Sequence, residues 1–467
     1  MNNNIAQLTI EQVAHLVNPV NTTADQNPAK AGTVKRNRFR NCNNEQIVMW
    51  LDPRGMLPAN HLVWFINDTV DCMDLSRFIA GSGGTDPRGR HSYDPAMHVK
   101  LIAYCRATGR HSAREMERAA KEDIPCRLLT AGQCPDHDTI ASFEQRNRAA
   151  LAELFEQSLN MASQASLIEL DIAAVDGSKV KANASKHKAM SFGRMKKDIV
   201  KLTKAIRKIK KALKQGQLPD GQKEKLQKDL EFKTGRLSRI TENKQALEKR
   251  VADEKVRAAK NRKSRKHSLR PEEKAQINFT DRESRIMCKG KSFEQAYNAQ
   301  IAVDKRAQII VAQTVTQEGN DKLQLVPMGR RVKENMGRLP NRFLGDSGFF
   351  SEEAVTSPEL ADTELFVPPG REKHYRELPP LVGRIPKNIS VSDRMKRKLK
   401  TVAGKAIYAI RKGLVEPVFG QIKRCMRFPG FTVRGLTKVQ QEWSFMCALH
   451  NFLKIYRSGF QPARAPA

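Results

Sequence analysis

The chain has 467 residues, 39% of them hydrophobic, enough to bury a sizeable core and to divide into two or three domains. Its 83 Lys and Arg against 50 Asp and Glu leave a net charge of +33, which argues for a polyanionic partner, nucleic acid before an anionic membrane surface. No apolar run reaches the roughly 18 residues a membrane span needs, and the opening MNNNIAQLTIEQ has neither the basic start nor the apolar core of a signal peptide. The expectation is a soluble, non-secreted, cytoplasmic protein that makes no use of a membrane.

The eight cysteines (Cys42, Cys72, Cys105, Cys126, Cys134, Cys288, Cys425 and Cys447) contain no CxxC pair, and several sit in apolar helical stretches. They read as buried thiols of a reducing compartment. Cys126 and Cys134 lie near Asp136, His137 and Asp138, but without the spacing of a zinc site.

Residues 1–45 are polar, rich in Asn and carry the basic patch KRNRFRN, so they read as a flexible arm. From 46 to 165 the texture is helical. HLVWFINDTVDCM (61–73) has apolar residues at helical spacing, and the glycine-rich stretch 81–90 comes next as a loop. Asp94 and Pro95 open a second helix with an apolar stripe at Met97, Leu101, Ile102 and Cys105. Two further helices are predicted over 112–123 and 139–162. This unit is either a helix-turn-helix type reader of DNA or a dimerisation and packing domain.

Residues 166–190 hold a strand that ends near Asp176, and 191–274 separate it from the other strands. Between 196 and 250 there are 18 Lys or Arg against 7 Asp or Glu, with apolar residues at helical spacing (Ile199, Leu202, Ile206, Ile209, Leu213). QGQLPDGQ (215–222) supplies a turn, so the segment reads as an inserted basic helical hairpin, trailed by the basic run 260–270. It lies along DNA, pairs with a second subunit, or is a solvated charged arm.

From 275 to 458 the pattern is strand-rich and then helical. YNAQIAVD and QIIVAQTVTQ, separated by KRA, predict a β-hairpin. A helix over 323–336, a short strand ending at GDSG, a helix from Ser351, a strand at ELFVPP and helices over 394–458 complete the chain before a tail at 459–467. The fold class is α/β, a mixed sheet with flanking helices interrupted by the hairpin and preceded by an all-α domain.

Three carboxylates stand where the backbone changes course: Asp176 before Gly177, Asp346 between Gly345 and Gly348, and Glu416 before Pro417. The glycines let the backbone turn close to a metal site. Proline at a first helical position places Glu416 at a helix N-terminus, with Lys423 seven residues on, near the same face. Tyr408 and Arg411 read as a separate helix because of Gly413. Two Mg²⁺ or Mn²⁺ ions need only such acidic oxygens to activate an attacking oxygen and stabilise a leaving one. Asp304 opens the hairpin turn, Asp321 looks like a helix cap, and Asp171 and Asp281 are candidate outer acids.

At these residues the sequence resembles the DDE transposases of bacterial insertion sequences. YDPAMHVKLIAYCRATGRHSAREMERA, PDHDTIASFEQRN, VDGSKVKANASK, YNAQIAVD, GDSGFFSEE and VEPVFGQIKRCMRFPGFTVRGLTKVQQEW occur in that order between about 46 and 456. The resemblance implies a ribonuclease H-like core, a metal-binding triad of Asp176, Asp346 and Glu416, and a Tyr-Arg-Glu-Lys signature at Tyr408, Arg411, Glu416 and Lys423. Four residues separate Arg411 from Glu416 where the group usually has three, so either Arg411 or Lys412 fills that role. TDRES (280–284) departs from the usual TDPDS at Asp281. The implied activity is metal-dependent cleavage and strand transfer at the element's terminal inverted repeats and at target DNA, by a homodimer or larger assembly in the bacterial nucleoid. A catalytically inactive, repeat-binding derivative is the alternative; a coiled-coil or RNA-binding protein would leave the strand-rich half without a purpose.

Overall fold

The computed structural model describes residues 53–80, 92–215, 219–260, 271–290, 292–370 and 389–462. The N-terminal arm, the glycine-rich stretch 81–90, most of the hairpin turn and the basic run 261–270 lie outside the described residues.

The described chain opens with helices α1 (Pro53–Met56), α2 (Leu62–Asp71), α3 (Ser76–Ala80), α4 (Pro95–Ala107), α5 (Ala113–Glu122), α6 (Ile124–Leu129), α7 (His137–Arg146) and α8 (Arg148–Gln164). Their starts arise from local chemistry. Asp94 Oδ1 accepts from Ala96 N at 2.8 Å, with Pro95 at the first helical position. Ser112 and Glu115 form a capping box on α5.

Helix α4 is buried all round rather than along one stripe, with Met97, Val99, Leu101, Ile102, Ala103 and Cys105 fully covered. The single helix expected over 139–162 is two. Its break falls at Asn147, whose side-chain amide donates to Phe143 O at 3.0 Å, a local bond that competes with helix continuation. Asp136 caps α7 through Thr139 N (2.6 Å), and His137 Nδ1 meets Glu117 Oε2 at 2.7 Å, so both side chains serve local structure. Cys105, Cys126 and Cys447 are buried, whereas Cys72, Cys134, Cys288 and Cys425 are exposed, so the expectation of buried thiols holds for only part of the set.

The sheet is built around β1 (Ile172–Lys181). Ile172, Ala173, Ala174 and Val175 are all buried, as a strand covered on both faces requires. After β1 come β2 (Ala189–Ser191), α9 (Phe192–Lys214), α10 (Asp220–Lys260), β3 (Gln276–Asn278), β4 (Arg285–Lys289), β5 (Ser292–Asp304) and β6 (Ile310–Thr316). Next are α11 (Leu325–Met336), β7 (Arg342–Leu344), α12 (Glu352–Val355) and β8 (Glu364–Phe366). The strand order is β4-β5-β1-β7-β8, with β6 also paired to β5. Antiparallel β4, β5 and β6 therefore meet the parallel strands β1, β7 and β8 along one edge of β1. As expected of a turn residue, Asp304 Oδ1 accepts from Arg306 N (2.8 Å); its Oδ2 also accepts from Leu170 N (2.8 Å).

The expected hairpin is present as α9 and α10. Strands β2 and β3 pair at its base, Ala189 opposite Asn278. Phe192, Met195, Ile240, Leu247 and Ile277 form a small core of their own, apart from the main one. Helix α10, with 41 residues, extends about 60 Å at 1.5 Å per residue.

The C-terminal part holds α13 (Val391–Lys400), α14 (Val402–Gly420), a five-residue π turn (Gln421–Cys425) and α15 (Leu436–Arg457). Helix α15 packs along both α8 and β6. It is buried nearly all round, and one continuous core runs from α2 through the sheet to Ile455. Across this junction Arg106 pairs with Glu144 (2.8 Å) on α7 and lies 3.7 Å from Glu442 on α15. The N-terminal helices and the sheet thus share one core.

Candidate active site

Strand register brings the first two predicted acids together. Strands β1 and β7 run parallel, and their last paired residues are Ala174 and Leu344. Asp176 and Asp346 each lie two residues beyond that pair, where neighbouring strands are about 4.8 Å apart. Only Asp346 is past its strand: β1 does not end near Asp176 as the sequence suggested and continues, paired with β5, to Lys181. The bond ladder of β7 has stopped there, so the Asp346 carboxylate turns to its own loop and accepts from Gly348 N at 2.8 Å. Asp176 Oδ1 likewise accepts from Gly177 N at 2.8 Å.

The electrostatics agree with this proximity. Burial pushes the Asp176 carboxyl up to about 6; the Arg411 guanidinium and the Gly177 amide pull it down, and the negative charges of Asp346 and Asp321 push it up further. Tyr408 is raised mainly by burial, with Asp346 and Asp176 adding to the rise and Arg411 opposing it. Arg411 is itself buried, and its Nη1 lies 3.4 Å from Asp176 Oδ2. Lys412, the alternative for that role, is exposed. Lys423 Nζ donates to Ser178 Oγ on β1 and sits 5.3 Å from the Phe419 ring centroid. Two basic groups therefore flank the strand segment 176–178 from the same helical run.

That run differs from the sequence expectation. Glu416 does not open a helix: Pro417 lies inside α14, which is continuous from Val402 to Gly420 and carries Tyr408, Arg411 and Glu416 together. A mid-helix proline removes one N–H and frees the carbonyl four residues back. Here that carbonyl belongs to Gly413, and Gln308 Nε2 donates to it at 3.0 Å. A glycine under the proline and a side-chain donor for the freed oxygen let the helix pass through. The π turn then adds a residue to the spiral, closing with Met426 N to Gln421 O at 2.9 Å.

Glu416 is exposed and makes no hydrogen bond or ion pair among the described residues. Among the described residues, no group of three or more His, Cys, Asp or Glu side chains has the spacing to hold a metal ion. The structure brings Asp176, Asp346, Tyr408, Arg411 and Lys423 to one place and leaves Glu416 on the flank of the same helix.

A further acid belongs to this place. Asp321 is no helix cap, since Gln324 precedes α11 and the Asp321 side chain turns to the sheet. Its Oδ1 accepts from Asn298 Nδ2 (2.6 Å) and Gln300 Nε2 (2.5 Å), with Lys179 Nζ at 3.7 Å. It fills the space that a side chain on residue 177 would need: a Cβ on Gly177 would come within 2.7 Å of Asp321 Oδ1. Asn298 and Gln300, fully buried polar residues in the middle of β5, were the sequence signal for a buried charged partner. The remaining candidates are structural. Asp171 pairs with Arg342 (3.2 Å) at the other end of β1, and Asp281 accepts from Tyr297 Oη (2.8 Å) and Gly435 N (3.3 Å).

The donor set suits a divalent cation. Carboxylates that repel one another, with one guanidinium in partial compensation, are what hard oxygen-seeking ions relieve.

Comparison with known families places the chain. The family described as a transposase DDE domain matches residues 382–456, which include Tyr408, Arg411, Glu416 and Lys423. The family described as a transposase domain (DUF772) matches residues 52–146, the helices from α1 to α7. No curated protein and no solved structure matches the chain. The chain is thus similar to a transposase domain near its start and to a transposase DDE domain near its end, the two stretches that its resemblance to insertion-sequence DDE transposases also covers.

Proposed function

We propose that the protein binds the terminal inverted repeats of its own element, cuts there and joins the freed 3′-hydroxyl to target DNA. The observation that carries this reading is the meeting of Asp176, midway along β1, and Asp346, just past the end of the neighbouring β7, with Arg411 and Lys423 from one helical run. The order β6-β5-β1-β7-β8, with the first three strands antiparallel and the last two parallel to β1, supports a ribonuclease H-like core over 166–190 and 275–458.

In this reading Asp176, Asp346 and Glu416 hold two Mg²⁺ or Mn²⁺ ions. When bound, such ions supply Lewis acidity to the attacking water and to the leaving oxygen. The chain's own residues prepare the site. Burial keeps water away from Asp176 and strengthens its response to nearby charge. Arg411 compensates Asp176 and, released from it, reaches a phosphate oxygen. Lys423, held at Ser178, positions a second phosphate oxygen as a point charge. Glu416 approaches from the exposed flank of α14. Two element ends must be held together for transfer, so the working form is a homodimer or larger assembly.

The test uses purified protein and labelled DNA spanning the element's ends, with Mg²⁺, with Mn²⁺ and with chelator. Metal-dependent nicking at the boundary, lost in Asp176→Ala and in Glu416→Gln, is the expected result. Specific binding without cleavage under any metal would leave the non-catalytic repeat-binding reading. Cleavage retained in Glu416→Gln alone would remove Glu416 from the triad.

A further inference from the structure

Strand β1 does not end at the carboxylates. Five residues beyond Asp176 it reaches Lys181, about 17 Å away at 3.3–3.4 Å per residue, and the chain then turns through Asn183 and Ser185 to Lys186, His187 and Lys188. Opposite this segment stands the loop 429–434, which comes after the π turn. The two are joined closely: Phe431 N donates to Lys181 O at 2.9 Å, and Arg434 Nε donates to Asn183 O at 3.0 Å. Gly430, at φ +135°, is needed there, because a Cβ on it would lie 2.8 Å from Lys181 O. Between them lies an open groove of about 760 Å³.

Its rim is basic. Lys181, Lys186, Lys188 and Arg434 line it, with His187, against one acid, Glu294. The three lysines are exposed and make no ion pair among the described residues. Exposed cations without an ion pair also occur elsewhere, as at Lys305 and Arg306, but here several of them gather around one groove. Unmatched cations around a groove hydrogen-bonded to the strand that carries Asp176 call for an extended anion leaving that strand.

We propose that this groove takes the sugar-phosphate backbone of the DNA duplex flanking the reacting phosphate, with Lys186 and Lys188 as direct phosphate contacts. The inference rests on the transposase reading above. At 3.4 Å per nucleotide along one strand, the 17 Å from Asp176 to Lys181 corresponds to about five nucleotides, so the groove meets DNA a half-turn from the reaction. The contacts are to backbone and carry no sequence information.

The experiment measures duplex binding by the full chain by fluorescence anisotropy from about 50 to about 300 mM salt, a range over which counterion release is readily resolved. It compares wild type, Lys186→Ala/Lys188→Ala, and Lys305→Ala/Arg306→Ala in the exposed turn between β5 and β6 as an equal-charge control. Each lost phosphate contact lowers the slope of log K against log salt by about 0.9. The groove variant is expected to lose up to about two from that slope, equally on an element-end duplex and on unrelated DNA, with its melting temperature unchanged. An unchanged slope in the groove variant, or an equal drop in the β5–β6 turn control, overturns the groove while leaving the transposase reading intact. A wild-type protein that binds DNA with no salt dependence overturns both.

Discussion

The strand ends of the main sheet and the helical hairpin use charge in opposite ways. At the sheet, Asp176, Asp304, Asp321 and Arg411 are partly or fully enclosed, each held by named donors or an ion pair, and burial shifts the Asp176 and Asp304 carboxyls upward. On α10 the charges are mostly exposed and meet at helical spacing, Lys228 with Glu224, Lys233 with Asp229 and Lys244 with Glu248. Burial multiplies the energetic consequence of a charge, whereas exposure leaves it screened and interchangeable. The sheet should therefore respond to single substitutions, and the hairpin only to the sum of many.

The largest expected effect is at the sheet. Asp346→Asn removes one charge from the carboxylate pair while keeping the shape that caps Gly348. Metal-dependent cleavage should fall by about 10³-fold or more, the scale of several kcal/mol of lost transition-state stabilisation. DNA affinity should change little, because the hairpin and groove cations are untouched. Cleavage and binding measured on the same preparation separate these outcomes, and retained cleavage would take Asp346 out of the site.

Next in size is a pH effect on stability, also confined to the main core. His98 and His450 are buried and kept neutral, with burial as the leading cause and proton affinities lowered to about 4 and about 3. In the unfolded chain both take up a proton near 6.5, so their contribution to stability is full above that pH and is lost as pH falls. At pH 5 each costs about 2 kcal/mol relative to pH 7. Asp176, raised to about 6, works the other way between pH 6 and 4 and offsets part of the loss. His450→Gln, which stays neutral and keeps a donor for Gln308 O, should flatten the chemical-denaturation stability profile between pH 7 and 5 by about 2 kcal/mol. An unaltered profile would mean that His450 is not held neutral.

A smaller effect is expected at Asp321→Asn. The two buried amides of Asn298 and Gln300 would then face a third amide in place of a carboxylate, costing about 1–3 kcal/mol of stability. Because Asp321 also adds negative charge near Asp176, the variant should need more Mn²⁺ for the same metal-induced rise in melting temperature. Equal metal dependence in the two proteins would make Asp321 a purely structural acid.

How far these features could be read in the sequence depended on how local their causes are. The cap at Asp94, the β5–β6 hairpin and the paired helices α9 and α10 arise from neighbouring residues, and all were legible. The break at Asn147 and the continuity of α14 through Pro417 depend on side-chain bonds, one of them to Gln308, more than a hundred residues away. Asp321 was misread for the same reason: a run of Gly, Asn and Asp looks like a cap, and only the fold brings Asn298 and Gln300 to it. The adjacency of Asp176 and Asp346 was expected from strand ends, which holds for Asp346 alone: β1 runs on past Asp176, and the pairing of β1 with β7 that brings the two together is long-range.

The smallest effect tests the hairpin side of the comparison. Glu224→Gln removes an exposed partner of Lys228, a pair in which both side chains are mostly solvated. Such a pair at i, i+4 contributes about 0.3–0.5 kcal/mol, so thermal and chemical denaturation should hardly move. The freed ammonium should nevertheless strengthen low-salt binding to duplex DNA slightly if the hairpin lies along the backbone, and the gain should vanish at high salt as screening shortens the reach of the charge. A stability loss well above about 1 kcal/mol, the ceiling for an exposed pair, would show that the hairpin's charges are as context-bound as those of the sheet, and the contrast between the two regions would fail.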